Sequence, residues 1–239
     1  MKQAIIIIGG YNSIWTGYLR MARELEALTG LPAVAVPLMP WDWWGAERAK
    51  QATGILERLD QSVSWARRRH KADDLLLVGH SAGGLIARLY LSARPVWDRI
   101  YRGVDRVSLV VTLGSPHCSV GGRTTGWFLT DEANRLVPGT AYAGCVRYRA
   151  IAGRSVRGDP FGSRQERRAH RSYTFFGGHG DAWGDGLVPL ECARLDGVEP
   201  VVLSGVSHSR KYGAAWYGAS AEIVRRWWPE GVTHGRQGR

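Results

Sequence analysis

Residues 75–91 read LLLVGHSAGGLIARLYL, and this stretch constrains the fold more than any other. Four large apolar residues run into Gly79, His80, Ser81, Ala82, Gly83 and Gly84, and an amphipathic pattern at Leu85, Ile86, Leu89 and Tyr90 follows without a linker. A buried strand must turn at once into a helix. The residue at the turn projects its side chain outward from strained backbone angles, and its neighbours must be small so that strand and helix can approach. The helix start aims unbonded N–H groups at any negative charge that develops beside the serine oxygen. A G-x-S-x-G sequence in that strand–helix setting has the form of a nucleophile elbow, with Ser81 as the nucleophile; the plain alternative is a strand–helix turn without chemistry.

The rest of the chain repeats the same alternation. AIIII at 4–8 is a continuous β-branched run, as expected of a strand buried on both faces of a parallel sheet. Further strands are expected at 33–37, 75–79, 106–114, 148–153 and 199–205. Helices are expected at 14–28, 47–69, 82–92 and 215–228, with PWDWWG at 40–45 as a tryptophan-rich loop before the second. The order predicts an α/β fold with a doubly wound, mostly parallel sheet and right-handed crossovers, in one domain over 1–230. Two stretches, 118–146 and 154–184, fit no regular unit. Connections of that length usually serve as lids or binding loops. Residues 231–239 are expected to be a disordered tail.

Composition narrows the class. The chain has 239 residues, 44% of them hydrophobic, which suits one large globular domain. No apolar run reaches the roughly 20 residues of a membrane span. The opening MKQAIIIIGG reads as a first strand rather than a secretory signal, because its apolar run is short and no small-residue cleavage site follows. A cytoplasmic location is the expectation. The net charge is +11, and eight arginines fall between Arg147 and Arg171. No nucleic-acid-binding motif surrounds them, so the reading is a solvated surface, with peripheral contact to an anionic membrane as the functional alternative. Cys118, Cys145 and Cys192 lack metal spacing and are read as free thiols; a Cys118–Cys145 bridge is the weaker alternative.

A serine hydroxyl needs a base. Of seven histidines, His208 alone stands just beyond the last strand and before the closing helix, in VVLSGVSHS. His80 lies inside the elbow, His117 precedes any candidate acid, His170 and His179 fall in the irregular stretch, His70 ends a charged helix, and His234 lies in the tail. The acid should come between the fifth strand and His208. Asp185, in the glycine-flanked turn WGDGLVP, is the first choice; Asp181 is the next, and Asp196 suits a simple turn. A metal held by His179, Asp181 and Asp185 matches no established spacing, so neither metal nor cofactor is expected.

At this point the chain resembles the α/β-hydrolase superfamily, and more narrowly the compact lipase-like serine hydrolases of cyanobacteria and plastids. The resemblance covers most of 4–228 and rests on IIIIGGY at the first strand, GHSAGG at the elbow, LGSPH after the next strand, GDGLVP at the acid and GVSH…WYG around the base. It implies an α/β-hydrolase fold with a cap or lid insertion, and a Ser81–Asp185–His208 triad. It also implies an oxyanion hole from the backbone N–H groups of Tyr11 and Ala82. This chain has Gly9-Gly10 where many lipases carry His-Gly. The expected activity is cleavage of carboxylic esters, acyl lipids in particular, with a small-molecule acyl ester or lipid as the partner. An acyltransferase using the same triad, or a non-catalytic hydrolase-like binding protein, are the alternatives. Trp41, Trp43, Trp44, Trp127 and Phe128 are candidate walls for the substrate, with plain packing as the equal alternative.

Overall fold

The computed structural model describes residues 2–118 and 128–233. Gln3–Ile8 forms β1, followed by α1 at Leu19–Thr29 and β2 at Ala33–Ala35. Helices α2, Pro40–Ala49, and α3, Thr53–His70, lead into β3, Asp74–His80, and α4, Ala82–Leu91. Then come β4 at Val107–Leu113, α5 at Phe128–Leu136 and β5 at Arg147–Arg154. A short pair, β6 at Val156–Arg157 and β7 at Trp183–Gly184, brackets α6 at Arg164–Phe175. Val201–Ser204 is β8 and Ala221–Trp227 is α7.

The main sheet runs in the order β2-β1-β3-β4-β5-β8, with every neighbouring pair parallel. This is the expected doubly wound arrangement, and the isoleucine run explains why both faces must be covered. Ile6 and Ile8 join the core beneath α2, α3, α4 and α5, whereas Ile5 and Ile7 join the core beneath α1 and α7. All seven residues of β3 are buried. Parallel strands with helices on both faces leave the loops at their C-terminal ends gathered along one edge, where ligand sites in such sheets lie.

Five expectations need correction. The PWDWWG stretch is not a loop: α2 begins at Pro40, whose missing N–H costs nothing at a first helical position, and the Asp42 carboxylate accepts the Met39 N–H at 2.8 Å. Lys50, in left-handed conformation at φ 53°, ends it, so the long helix expected at 47–69 is two. The stretch 154–184 is not irregular either. It holds α6, started by a reciprocal cap in which Ser163 Oγ accepts from the Glu166 N–H and the Glu166 carboxylate accepts from the Ser163 N–H. The stretch 118–146 contains α5, held by the buried Arg88. That guanidinium donates to the carbonyls of Ala133 and Val137 at the helix's C-terminal end, at 3.4 and 2.6 Å, and to Asn134 Oδ1 at 3.0 Å. Finally, the cysteines are not all free. Cys118 and Cys192 form a disulfide with Cα atoms 4.8 Å apart, leaving Cys145 as the free thiol. Sequence spacing hides this pair, because only the fold brings the end of β4 against residues 189–193, where the His117 N–H donates to the Cys192 carbonyl at 2.7 Å. Residues 234–239 of the expected tail lie outside the described residues. No described helix is long and apolar enough to cross a membrane.

Candidate active site

Ser81 sits between β3 and α4 with φ 53° and ψ −125°. Such a conformation is costly for a residue with a Cβ, on the order of 1–3 kcal/mol, and persists only where the surroundings impose it. Here the Ser81 N–H donates to the Leu113 carbonyl at 2.9 Å, and the small neighbours expected from the sequence are sterically required. A Cβ on Gly79 would stand 2.5 Å from the Gly83 carbonyl oxygen and the Gly84 Cα. One on Gly10, in the loop after β1, would stand 2.8 Å from the Ser81 Cβ, so the loop can lie against the serine only without a side chain there. Ala82 opens α4, where backbone N–H groups have no carbonyl one turn earlier to bond.

His208 lies four residues after the end of β8 and is buried. Its Nδ1–H donates to Asp185 Oδ2 at 2.8 Å, and its backbone N–H donates to the Asp185 carbonyl at 2.8 Å. The carboxylate is held from every side. Oδ1 accepts from the N–H groups of Leu187 and Val188 at 3.0 and 2.8 Å, and Oδ2 also accepts from Tyr217 Oη at 2.9 Å. Burial and the adjacent Asp185 push the Tyr217 phenol well above its usual range, so it stays a donor. With Nδ1 carrying the proton, His208 Nε2 has the lone pair of a base. Asp181, the alternative acid, is exposed and faces Arg157 at 3.8 Å, and Asp196 is exposed.

Ser81 and His208 line one cavity of about 520 Å³, together with Gly10 and Tyr11 of the loop after β1. No hydrogen bond joins the Ser81 hydroxyl to the His208 ring here; such bonds in unliganded sites often close only when substrate arrives. More of the wall comes from the second insertion, with Ser172, Phe175 and Phe176 at the end of α6, and from Leu187 and Tyr212.

These wall residues were not foreseen, although the FF pair at 175–176 and the leucine of GDGLVP were visible signals. Trp41, Trp43, Trp44 and Phe128 are not among the described residues lining this cavity. Trp43 is 1% exposed and packs in the core under α2, which overturns its reading as a substrate wall: a buried indole has no face left for a ligand. Trp41 and Trp44 are 58% and 47% exposed on α2, and Trp44 Nε1 donates to Asn12 Oδ1 at 3.0 Å. Phe128 packs against the core with Lys50 over its ring at 5.8 Å. Trp127 lies outside the described residues.

His80, set aside as a mere member of the elbow, proves to be the centre of a buried relay. The His208 carbonyl can only accept, so the 2.8 Å contact with His80 Nε2 fixes the proton there. His80 Nδ1 then accepts from Tyr18 Oη at 2.8 Å, and Tyr18 Oη in turn accepts the Gly10 N–H at 2.8 Å. Burial, helped by the nearby His208 ring, lowers the His80 pKa to about 3, so the ring stays neutral and the chain of donors keeps one direction. The relay ties the loop after β1, the elbow and the backbone of His208 into one unit.

The elbow and its surroundings also carry the match to known proteins. Residues 52–130 match the PGAP1-like alpha/beta domain family, a span that contains Ser81 but neither Asp185 nor His208. The match falls within the parallel, helix-flanked sheet described above, spanning α3, β3, α4 and β4. Among solved structures, an alpha-beta serine hydrolase homologue from Coxiella burnetii aligns at 15% identity and TM-score 0.46, over 93% of this chain and 81% of that one. A cutinase-like protein from Cryptococcus sp. aligns at 14% identity and TM-score 0.39, over 62% and 74%. Tomato methylketone synthase I complexed with 2-tridecanone aligns at 13% identity and TM-score 0.37, over 56% of this chain and 47% of that one, so the chain spans about half of its length. No curated protein sequence matches the chain significantly. The parallel sheet places Ser81, the Asp185 turn and the His208 loop on the same edge. Among the described residues no group of His, Cys, Asp and Glu could hold a metal ion.

Proposed function

We propose that this chain is a serine hydrolase of carboxylic esters, acyl-lipid esters in particular. The observation that carries the reading is the buried His208 Nδ1–H···Asp185 contact of 2.8 Å in the same cavity as a serine held at φ 53°. Ser81 Oγ attacks the ester carbonyl carbon while His208 Nε2 takes the hydroxyl proton, and Asp185 stabilises the imidazolium that results. The carbonyl oxygen becomes an oxyanion, received by the backbone N–H groups of Ala82 and Tyr11. Collapse of the tetrahedral intermediate breaks the bond to the alcohol oxygen, which leaves with the proton from His208. Water then repeats the sequence on the acyl-enzyme and releases the carboxylic acid. Phe175, Phe176 and Leu187 give the acyl chain an apolar wall, which supports a lipid-like acyl group. The arginines of α6 (Arg164, Arg167, Arg168 and Arg171) support peripheral contact with an anionic membrane surface.

The test is hydrolysis of p-nitrophenyl esters from acetate to palmitate, with a primary alcohol added in a parallel series. Wild type should release carboxylic acid, and Ser81→Ala should lose at least about 10³-fold in kcat. Wild-type turnover in Ser81→Ala would remove the reading. Predominant formation of the new ester would replace hydrolysis by acyl transfer.

A further inference from the structure

The serine cavity continues into a second groove of about 310 Å³, and the two share Asn12, Ser13, Ser209 and Lys211 in their walls. The groove adds Arg210. Two exposed cations therefore stand two and three residues after His208 in sequence and line the space beside it. Two residues of chain reach at most about 7 Å, so the Arg210 backbone lies close to that of His208 while its side chain lines the adjoining groove.

The charges in this region are unopposed. Neither cavity has a carboxylate among its lining residues. A third cation, Arg168 on α6, is half-buried and aimed at the same loop: its guanidinium stacks 4.5 Å above the Tyr212 ring and donates to Tyr212 Oη at 3.2 Å. Elsewhere, arginines at 20, 58, 99, 102, 106, 135 and 157 each face a carboxylate. Arg168, Arg210 and Lys211 enter no ion pair among the described residues. A basic chain will have solvated arginines, but here they coincide with a concavity that is also lined by Asn12, whose amide oxygen is taken by Trp44 and whose NH2 can donate. A concave wall of one sign focuses its field on the space it encloses. The serine cavity, but not the groove, is lined by the apolar Phe175, Phe176 and Leu187.

We infer that the groove is a subsite for an anionic, phosphate-type group on the ester substrate, seated against Arg210 and Lys211 while the acyl chain lies along the phenylalanines. The inference rests on the proposed esterase reading. Such an anion has two sources, a soluble phosphorylated ester or the headgroup of a phospholipid, and the assay below separates them.

The experiment compares monobutyrin with butyryl-glycerol 3-phosphate, following butyrate release by wild type, Arg210→Gln, Lys211→Gln and the double variant at low and high salt. Wild type should prefer the phosphorylated ester, through KM rather than kcat. The ratio of kcat/KM values should fall by about five-fold for each exposed cation removed, and the wild-type ratio should fall with added salt. Vesicles of phosphatidylglycerol and of phosphatidylcholine form the second arm. A charge preference in both arms assigns the anion to the substrate in either form, and one confined to vesicles assigns it to the lipid headgroup. Ratios equal in wild type and double variant, in both arms, overturn the inference. Failure of wild type to cleave monobutyrin and the p-nitrophenyl esters alike would instead overturn the esterase reading beneath it.

Discussion

Replacing Tyr18 by Phe should separate the relay's role in catalysis from its role in packing. The ring is buried beside His80 and Trp216, so Phe keeps the packing and removes one oxygen. That oxygen has two buried partners, the Gly10 N–H and His80 Nδ1, each at 2.8 Å. Leaving a buried polar group without a partner costs about 1–3 kcal/mol, so the two together set a loss of roughly 2–6 kcal/mol in folding stability, read from urea midpoints at constant m-value. The loop after β1 would also lose its tether to the elbow, and with it the aim of the Tyr11 N–H proposed for the oxyanion. Loss of one oxyanion donor costs about 10²–10³ in kcat, which is the upper bound for a loop merely loosened. The expected signature is therefore a fall in kcat of about ten-fold or more with KM little changed. His80→Gln should show a similar split, and the double variant should lose less than the sum of the two singles. Wild-type kcat in a Tyr18→Phe protein that has lost stability would show the relay to be structural only. A variant with neither change would refute the hydrogen-bond chain itself.

The other expectations follow from single contacts. Asp185→Asn should lose most turnover, on the order of 10⁴-fold in kcat if the tautomer of His208 is reversed, while Asp181→Asn, at an exposed ion pair, should be nearly silent in the same ester assay. Phe175→Ala, at an exposed ring, should weaken long-chain esters relative to acetate by about 1–3 kcal/mol in kcat/KM and leave the melting temperature unchanged; an unchanged chain-length ratio would remove it from the acyl wall. Stability should fall with acid. His80 has a folded pKa of about 3 against an ordinary 6.5, so the unfolded chain binds the extra proton first. Its contribution is complete above about pH 6.5 and is lost progressively down to about pH 3, with roughly 3 kcal/mol gone by pH 4.5 in urea titrations. His117, lowered in the same direction by burial and by Arg88, should steepen that slope.

What the sequence revealed and what it hid follow from where each residue's partners lie. Ile5, Ile6, Ile7 and Ile8 announce a central strand because a parallel sheet needs apolar residues on both faces, and the elbow announces itself because small residues are required on both sides of Ser81. The contact between Asp185 and His208 is readable because both fall in short loops after strands, in an order the sequence shows. Helix α2 was hidden by its proline and tryptophans, which suit a loop equally well. Helix α6 was hidden because it buries only Ala169 and Tyr173, too few to set a period, although the Ser163–Glu166 cap was legible in the letters SRQE. The disulfide, the cavity wall at Phe175 and Phe176, and the Gly10–Tyr18–His80–His208 relay join residues far apart in sequence, and only the closed fold puts them in contact.

The most direct test of the account is reaction with a fluorophosphonate, followed by intact mass and peptide mapping. Wild type should gain one equivalent, on the peptide that carries Ser81, at a rate that falls by about two orders of magnitude or more in His208→Ala and Asp185→Asn, because the serine is a nucleophile only with its base in place. Ser81→Ala should gain none. Labelling of Ser81→Ala at the wild-type rate, or at equal rates with and without His208, would contradict the claim that Ser81, His208 and Asp185 act as one catalytic unit.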